Sequence, residues 1–419
     1  MALRKQLVPK SYNITVSETR TLITLTALVF LSSVQVVIDV PFYRSQTVET
    51  NSIHGILSSV AQVVLVLGVF AIFLAKDPGL GFRPDYVSNL VVVFSIYLLL
   101  VTVINGSSIA SYLPITLLCI LVSRKPASVA LLSKALGLGS TLVLLLSAAM
   151  LIIAPSAALM KVNTDRFTIF PSQVAGATPH PNTLGLFAGI GLGVALLSQF
   201  QMKKNRIFLA TLSSIMVVAS GSRLSYALAV LALVIFFFRK DVKRLSKRIR
   251  TLIIVTGAAT VFWFLSSGLG SALSVLNGRD QIWSDYLSFW QKHPFLGGGL
   301  DVGRSILQNA ANSVTTYNGG QSHNEYIGDL VKGGIVGLIL LLCVIVSVSA
   351  RLIKSGAMRE PVVLFICLSL LVASLVEQVL VFTMGSRSLV TVSVFLLAAL
   401  SVDSRYQGPL SRNQQNCEQ

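Results

Sequence analysis

Charged residues are scarce in this sequence: Asp, Glu, Lys and Arg make up 12% of its 419 residues, while 53% are hydrophobic. A soluble domain carries about twice that charged share, so a water-soluble fold is excluded. Cysteine is scarce too. The four present, Cys119, Cys343, Cys367 and Cys417, lie far apart, and three fall inside apolar runs. That spacing suits neither a zinc site nor a disulfide framework. The signatures of soluble catalysts are missing: no Walker loop, no GxGxxG after a strand, no HExxH, no GxSxG, and no DxD pair to hold a metal-bound nucleotide. Neither a metal nor another cofactor is expected. Acidic residues, 16 against 33 basic ones, leave a net charge of +17. In a soluble chain that would suggest nucleic acid. In a membrane chain it asks which side the positive charges occupy, and no nucleic-acid partner is expected.

What the sequence has in abundance is apolar runs of about 17 to 25 residues, each long enough to cross a bilayer as a helix. Twelve are predicted: 21–40, 52–75, 86–104, 107–123, 129–154, 181–199, 206–221, 223–238, 251–269, 326–350, 361–382 and 386–402. The expected fold is therefore all-α, a polytopic integral membrane protein surrounded by lipid. Three stretches organise it: spans 1 to 9 over 1–269, a long outer loop over 270–325, and spans 10 to 12 with a polar tail over 326–419. With the N-terminus inside, 24 of the 33 Lys/Arg and 7 of the 16 Asp/Glu fall on the cytoplasmic side, so the whole excess charge lies there. This is the positive-inside asymmetry, and it puts both termini in the cytoplasm. The basic run over 239–250 reads as a topology signal facing anionic headgroups. The first span reads as an uncleaved anchor, since no small-residue cleavage site follows it.

Two outer loops are long, 155–179 and 270–325, and long loops are usually functional or disordered. The second is not of disordered composition. Ile282, Trp283, Tyr286, Phe289 and Trp290 recur at helical spacing and predict an amphipathic helix able to lie at the membrane surface, with the tryptophans as interfacial anchors.

Three polar groups cluster at outer span ends. Ser220-Gly221-Ser222-Arg223 places an arginine where one span turns into the next, either as a snorkelling anchor or as an anion ligand. Gly278-Arg279-Asp280-Gln281-Ile282-Trp283 starts the amphipathic helix, where backbone N–H groups and a guanidinium aim at one point, an arrangement suited to phosphate. Asp280 capping the helix and pairing with Arg279 is an equal alternative. It is followed by His293-Pro294-Phe295-Leu296-Gly297-Gly298-Gly299. The third group is Ser322-His323-Asn324-Glu325-Tyr326, then Gly333, Gly334 and Gly337; its histidine stands at the membrane rim.

Taken together, Gly-Ser-Arg at a span start, Gly-Arg-x-x-x-Trp with a following His-Pro-x-x-Gly-x-Gly, and His-Asn-x-Tyr before a glycine-rich span resemble the O-antigen ligase and O-antigen polymerase family of polytopic membrane glycosyltransferases. The resemblance covers roughly 166–377, including Pro181-Asn182; the family's Asn-Pro-Asn stands here as His180-Pro181-Asn182. It implies transfer of a glycan from an undecaprenyl-diphosphate carrier at the periplasmic face of the bacterial inner membrane. The acceptor is lipid A–core oligosaccharide for a ligase and another lipid-linked repeat unit for a polymerase. The ligase is the reading taken, acting by a metal-independent, inverting single displacement. On this reading Arg223 and Arg279 bind the diphosphate, His323 is the base with Glu325 as second choice, and Asn324, Arg166, His180 and Arg387 support the site. The rival from another class is a lipid or sugar transporter, for which Glu377 would be the ionisable group within the bilayer.

Overall fold

The structure is a computed structural model and describes residues 85–110, 112–124, 129–161, 172–178, 180, 181–199, 202–244, 279–303, 306, 322–380 and 382. Predicted spans 21–40, 52–75, 251–269 and 386–402 lie outside them. The described residues are mostly helical. Among the described residues nine helices are longer than two turns: α1 (Tyr86–Ile104), α2 (Leu113–Arg124), α3 (Val129–Ile153), α4 (Pro181–Leu197), α5 (Lys203–Ser220), α6 (Arg223–Phe237), α7 (Arg279–Lys292), α8 (Glu325–Ser355) and α9 (Pro361–Val376). Three of them, α1, α3 and α8, are long and apolar enough to cross a membrane; α4, α6 and α9 are shorter apolar helices.

Helix starts follow their residues. Asp85 caps α1, accepting from Val87 N at 3.1 Å, while Ser88 reaches back to the Asp85 amide in a capping box. Pro181 and Pro361 occupy the first turns of α4 and α9, where a missing N–H costs nothing. The span predicted over 107–123 differs from the helix found. Asn105 and Gly106 end α1 in a turn, residues 107–109 are not helical, and α2 opens at Leu113. Their polar side chains and the left-handed Gly106 halt the helical run that hydropathy alone would continue. The predicted 361–382 span also ends early, because Glu377 adopts an extended backbone. The all-α expectation gains one small exception, an antiparallel pair of strands, β1 (Leu159–Lys161) and β2 (Ser172–Val174), with Met160 opposite Gln173.

Almost every residue of α4 is buried, making it the central helix. Lipid offers apolar helices no hydrophobic drive to associate, so close packing between small residues must do so. Gly185 and Gly189, one turn apart, let α4 approach α6 at Ser222, Ser225 and Leu228; a methyl group at either glycine would collide there. Helix directions alternate consistently. At one end Arg206 of α5 donates to the last carbonyls of α4, at 2.9 Å to Ala195 and 3.3 Å to Leu196, and Arg351 of α8 pairs with Asp85. At the other end meet the starts of α4, α6 and α8 and the finish of α9, and this end holds the candidate site.

Helix α8 is broken at Gly334, whose φ of 62° and ψ of −165° are non-helical. The break exposes carbonyls, and the 293–299 loop supplies donors for them: Gly298 N bonds Val331 O at 2.9 Å, Gly299 N bonds Lys332 O at 2.8 Å, and Ile335 N returns to Pro294 O at 2.9 Å. Tyr97 of α1 donates to Gly333 O at 2.6 Å. The His-Pro-x-x-Gly-x-Gly stretch is thus a backbone clamp on a kinked helix. Helix α7 is the amphipathic helix expected. Its apolar face, Ile282, Trp283 and Tyr286, is buried against Ile327 and Val331 of α8 and against Val302 and Ile306.

Candidate functional site

Four consecutive residues, Ser322 to Glu325, are tied to the segment that follows α9. Ser322 Oγ accepts from Gln378 Nε2 at 2.9 Å, His323 Nδ1 lies 3.1 Å from Glu377 Oε2, and Asn324 Nδ2 donates to Leu375 O at 3.0 Å. Glu325 Oε2 accepts from the backbone amides of Val379 and Leu380. All four are buried. The polar turn ahead of α8 and the polar end of α9 therefore bond to each other, with Glu325 Oε1 left buried and without a hydrogen-bond partner among the described residues.

Among the described residues other than glycine, His323 alone has a positive φ, of 49°. Such a conformation is strained for a side-chain-bearing residue and holds only when its neighbours are fixed. They are fixed. Ser322 Oγ donates to Asn324 O and accepts from Asn324 N, the Trp283 indole donates to Ser322 O at 2.7 Å, and the Asn324 side chain caps α8 by accepting from Ile327 N at 3.0 Å. The result is an imidazole turned onto the Glu377 carboxylate, with 8% of the residue still exposed.

Glu377 joins the remaining helix ends. Its Oε1 accepts from Asn182 Nδ2 at 2.7 Å, and Asn182 Oδ1 accepts from Ser222 Oγ at 3.1 Å. Asn182 is in the first turn of α4, Ser222 is the N-cap of α6, and Asn324 caps α8. Three helix N-termini thus meet in one hydrogen-bonded network. Each carries the partial positive charge of a helix start, which favours an anion nearby. Gln173 of β2 donates to Gly221 O at 3.0 Å and so braces the α5–α6 turn that presents Arg223.

The residues singled out from sequence fall into distinct places. His323 is central to the network. Arg223 is the first residue of α6, exposed and next to Ser222. Arg279 begins α7, one turn ahead of Trp283; its side chain, like that of Asp280, lies outside the described residues. Arg166 and Arg387 also lie outside them. Asn324 serves as a cap. His180 is the N-cap of α4, its Nδ1 accepting from Asn182 N at 3.1 Å, a capping task more often given to an asparagine side chain. Glu325 spends one oxygen on two backbone amides, a structural task. Trp283 and Trp290, expected as interfacial anchors, instead donate inward, to Ser322 O and to Pro294 O at 3.1 Å. Glu377, assigned above to a transport reading, belongs to the histidine's own network, and Asn182, Ser222 and Gln378 carry the rest. One signal pointed to them: each stands at the same predicted end of its apolar run as His323. Among the described residues no group of three or more His, Cys, Asp or Glu is placed to hold a metal ion.

Chemically, the arrangement offers an oriented imidazole beside a cluster of helix N-termini and an arginine. It suits proton acceptance next to an anionic leaving group. The family model described as O-antigen ligase matches residues 207–342, about a third of the chain, and supports an O-antigen ligase family assignment. The matched segment contains Arg223, Arg279, His323 and Glu325; Asn182 and Glu377 lie beyond it. Comparison with curated proteins gives no match.

Proposed function

We propose that this protein is an O-antigen ligase, moving a glycan from undecaprenyl diphosphate onto lipid A–core oligosaccharide at the periplasmic face of the bacterial inner membrane. The family assignment supports a membrane glycosyltransferase of ligase or polymerase type. The observation that carries the finer reading is His323, oriented by Glu377 and standing where the N-termini of α4, α6 and α8 meet.

The acceptor hydroxyl oxygen attacks the anomeric carbon as the carbon–oxygen bond to the diphosphate breaks. The electron pair of that bond stays on the phosphate oxygen, and the hydroxyl proton passes to His323. A diphosphate ester gains roughly one negative charge as the sugar leaves, so guanidinium groups and the positive ends of helix dipoles held there favour the transition state over the ground state. Arg223 and Arg279 fill that role. A single displacement inverts the anomeric centre, because base and leaving group lie on opposite sides of the sugar. Without a DxD pair in the sequence, the arginines and not a divalent ion carry the diphosphate charge. Arg166 and Arg387 are outer-side cations that add to the same field. A transporter would need Glu377 free to load and release a substrate or proton near the bilayer midplane. Its place at the end of α9, bonded to both Asn182 and His323, favours transfer.

The test supplies purified protein with polyprenyl-diphosphate glycan and either lipid A–core or a second lipid-linked repeat. Extension of lipid A–core is the expected result, and His323→Ala should lower its kcat roughly a hundredfold or more, the usual worth of a general base. Extension of the lipid-linked repeat alone would make the protein a polymerase, and extension of neither would remove the transfer reading.

A further inference from the structure

We infer that Glu377 is the positioning residue of His323 and acts by selecting the ring tautomer; this rests on the reading of His323 as the proton acceptor. The two oxygens of Glu377 have separate partners. Oε1 accepts from Asn182 Nδ2, a group that can only donate, which leaves Oε2 facing the ring at 3.1 Å. An accepting carboxylate oxygen selects the imidazole form with its proton on Nδ1. In the neutral ring the lone pair is then on Nε2, the nitrogen turned away from Glu377. On the reading of His323 as base, that lone pair takes the acceptor's proton.

The orientation is relayed. Ser222 Oγ bonds Asn182 Oδ1 at 3.1 Å, so the asparagine presents its NH2 to Glu377 and its carbonyl to the α6 cap. A series from Ser222 through Asn182 and Glu377 to His323 thereby links the end of α6 beside Arg223 to the ring. Backbone strain points the same way: at a φ of 49° His323 occupies a conformation that its neighbours enforce, and the product of that enforcement is the contact with Glu377. A bridge with no role beyond structure would be served by glutamine, which fits the same space and is far cheaper to bury than a carboxylate. Glutamine differs in one respect. With its carbonyl toward Asn182 Nδ2, it turns an NH2 toward the ring and draws the lone pair onto Nδ1.

Nitrogen-15 spectra of histidine-labelled, full-length protein in lipid nanodiscs test this, the His323 signals being identified by their loss in His323→Ala. Wild-type protein should show Nδ1 protonated and Nε2 bare in the neutral ring, and Glu377→Gln should move His323 toward the Nε2–H form. In the transfer assay the same variant should lose kcat by roughly a hundredfold with the KM for donor unchanged, since the diphosphate ligands are intact. An Nε2–H ring in the wild-type protein overturns the inference without recourse to any variant. So does an unchanged tautomer in Glu377→Gln. These results are separable from failure of the parent reading: undiminished turnover in His323→Ala would end His323's part as base whatever the spectra show. Loss of turnover in His323→Ala with an Nε2–H wild-type ring would keep the base and discard the role of Glu377.

Discussion

The imidazole of His323 and the carboxylate of Glu377 stand 3.1 Å apart although 54 residues separate them, one just ahead of α8 and the other at the C-cap of α9. Neither helix alone contains the pair. It exists only when α8 and α9 dock, and the docking bonds are those of Ser322, Asn324 and Glu325 on either side of it. Assembly of the site and packing of the helices are therefore one event. A substitution that separates these helix ends should abolish turnover without touching a reacting group.

Arg223 and Arg279 should both contribute to diphosphate binding although they start different helices. Lysine keeps the charge but loses the planar fork that meets two phosphate oxygens together. Arg279→Lys should cost turnover roughly tenfold, and Arg279→Ala roughly a hundredfold or more, on the scale of removing one transition-state donor. Arg223→Ala should behave alike. The assay is transfer from polyprenyl-diphosphate glycan, with expression and unfolding temperature as controls. Wild-type turnover in Arg279→Ala would return that residue to pairing with Asp280.

The charge asymmetry makes a prediction about sidedness. In a chain stripped of its four cysteines, a cysteine placed at Ser313 should react with an impermeant maleimide in intact cells once the outer membrane is made porous. One placed at Ser246, in the basic 239–250 run, should react only after the inner membrane is opened. The reverse pattern would invert the topology and put the His323 end in the cytoplasm.

How far the sequence disclosed this molecule depended on the range of the interaction. Spans 86–104 and 129–154 coincide with α1 and α3 to within a residue, because each is a long, mostly apolar run closed by a helix stop, Asn105-Gly106 in one and Pro155 in the other. His323 was legible from its chemistry and its place at a membrane rim. Glu377 was visible only as an acid near the end of an apolar run, and nothing local distinguishes a transport carboxylate from a partner of a histidine 54 residues away. In the sequence the glycines of 297–299 and 333–334 belong to two separate motifs. Their joint purpose, a loop bonded into a broken helix, is a tertiary contact that no periodicity records.

That contact can be tested at Gly334. Its φ and ψ lie in a region essentially restricted to glycine, and a β-carbon there would strike the Phe295 carbonyl. Gly334→Ala should destabilise the protein by roughly 1–3 kcal/mol from backbone strain alone. Thermal unfolding in detergent should register the loss, whereas Gly337→Ala, in the helical stretch beyond the break with only ordinary contacts around it, should change little. Equal unfolding temperatures for Gly334→Ala and the parent would mean that α8 runs straight.

Glu325 provides the sharpest separation of structure from chemistry within the site. Its Oε2 accepts the amides of Val379 and Leu380, two buried residues. Glutamine retains an accepting oxygen of the same reach, so Glu325→Gln should fold normally and keep turnover within a few-fold of the parent. Alanine retains nothing. Glu325→Ala should cost about 1–3 kcal/mol for each amide left without an acceptor, and it should also lower turnover, because the freed segment carries Glu377. Unfolding temperature and kcat should consequently fall together in the alanine variant and stay together near the parent in the glutamine one. A well-folded Glu325→Gln that had lost turnover a hundredfold would reverse the assignment: the carboxylate would then be the group that takes the acceptor's proton, and His323 would be left to orient it.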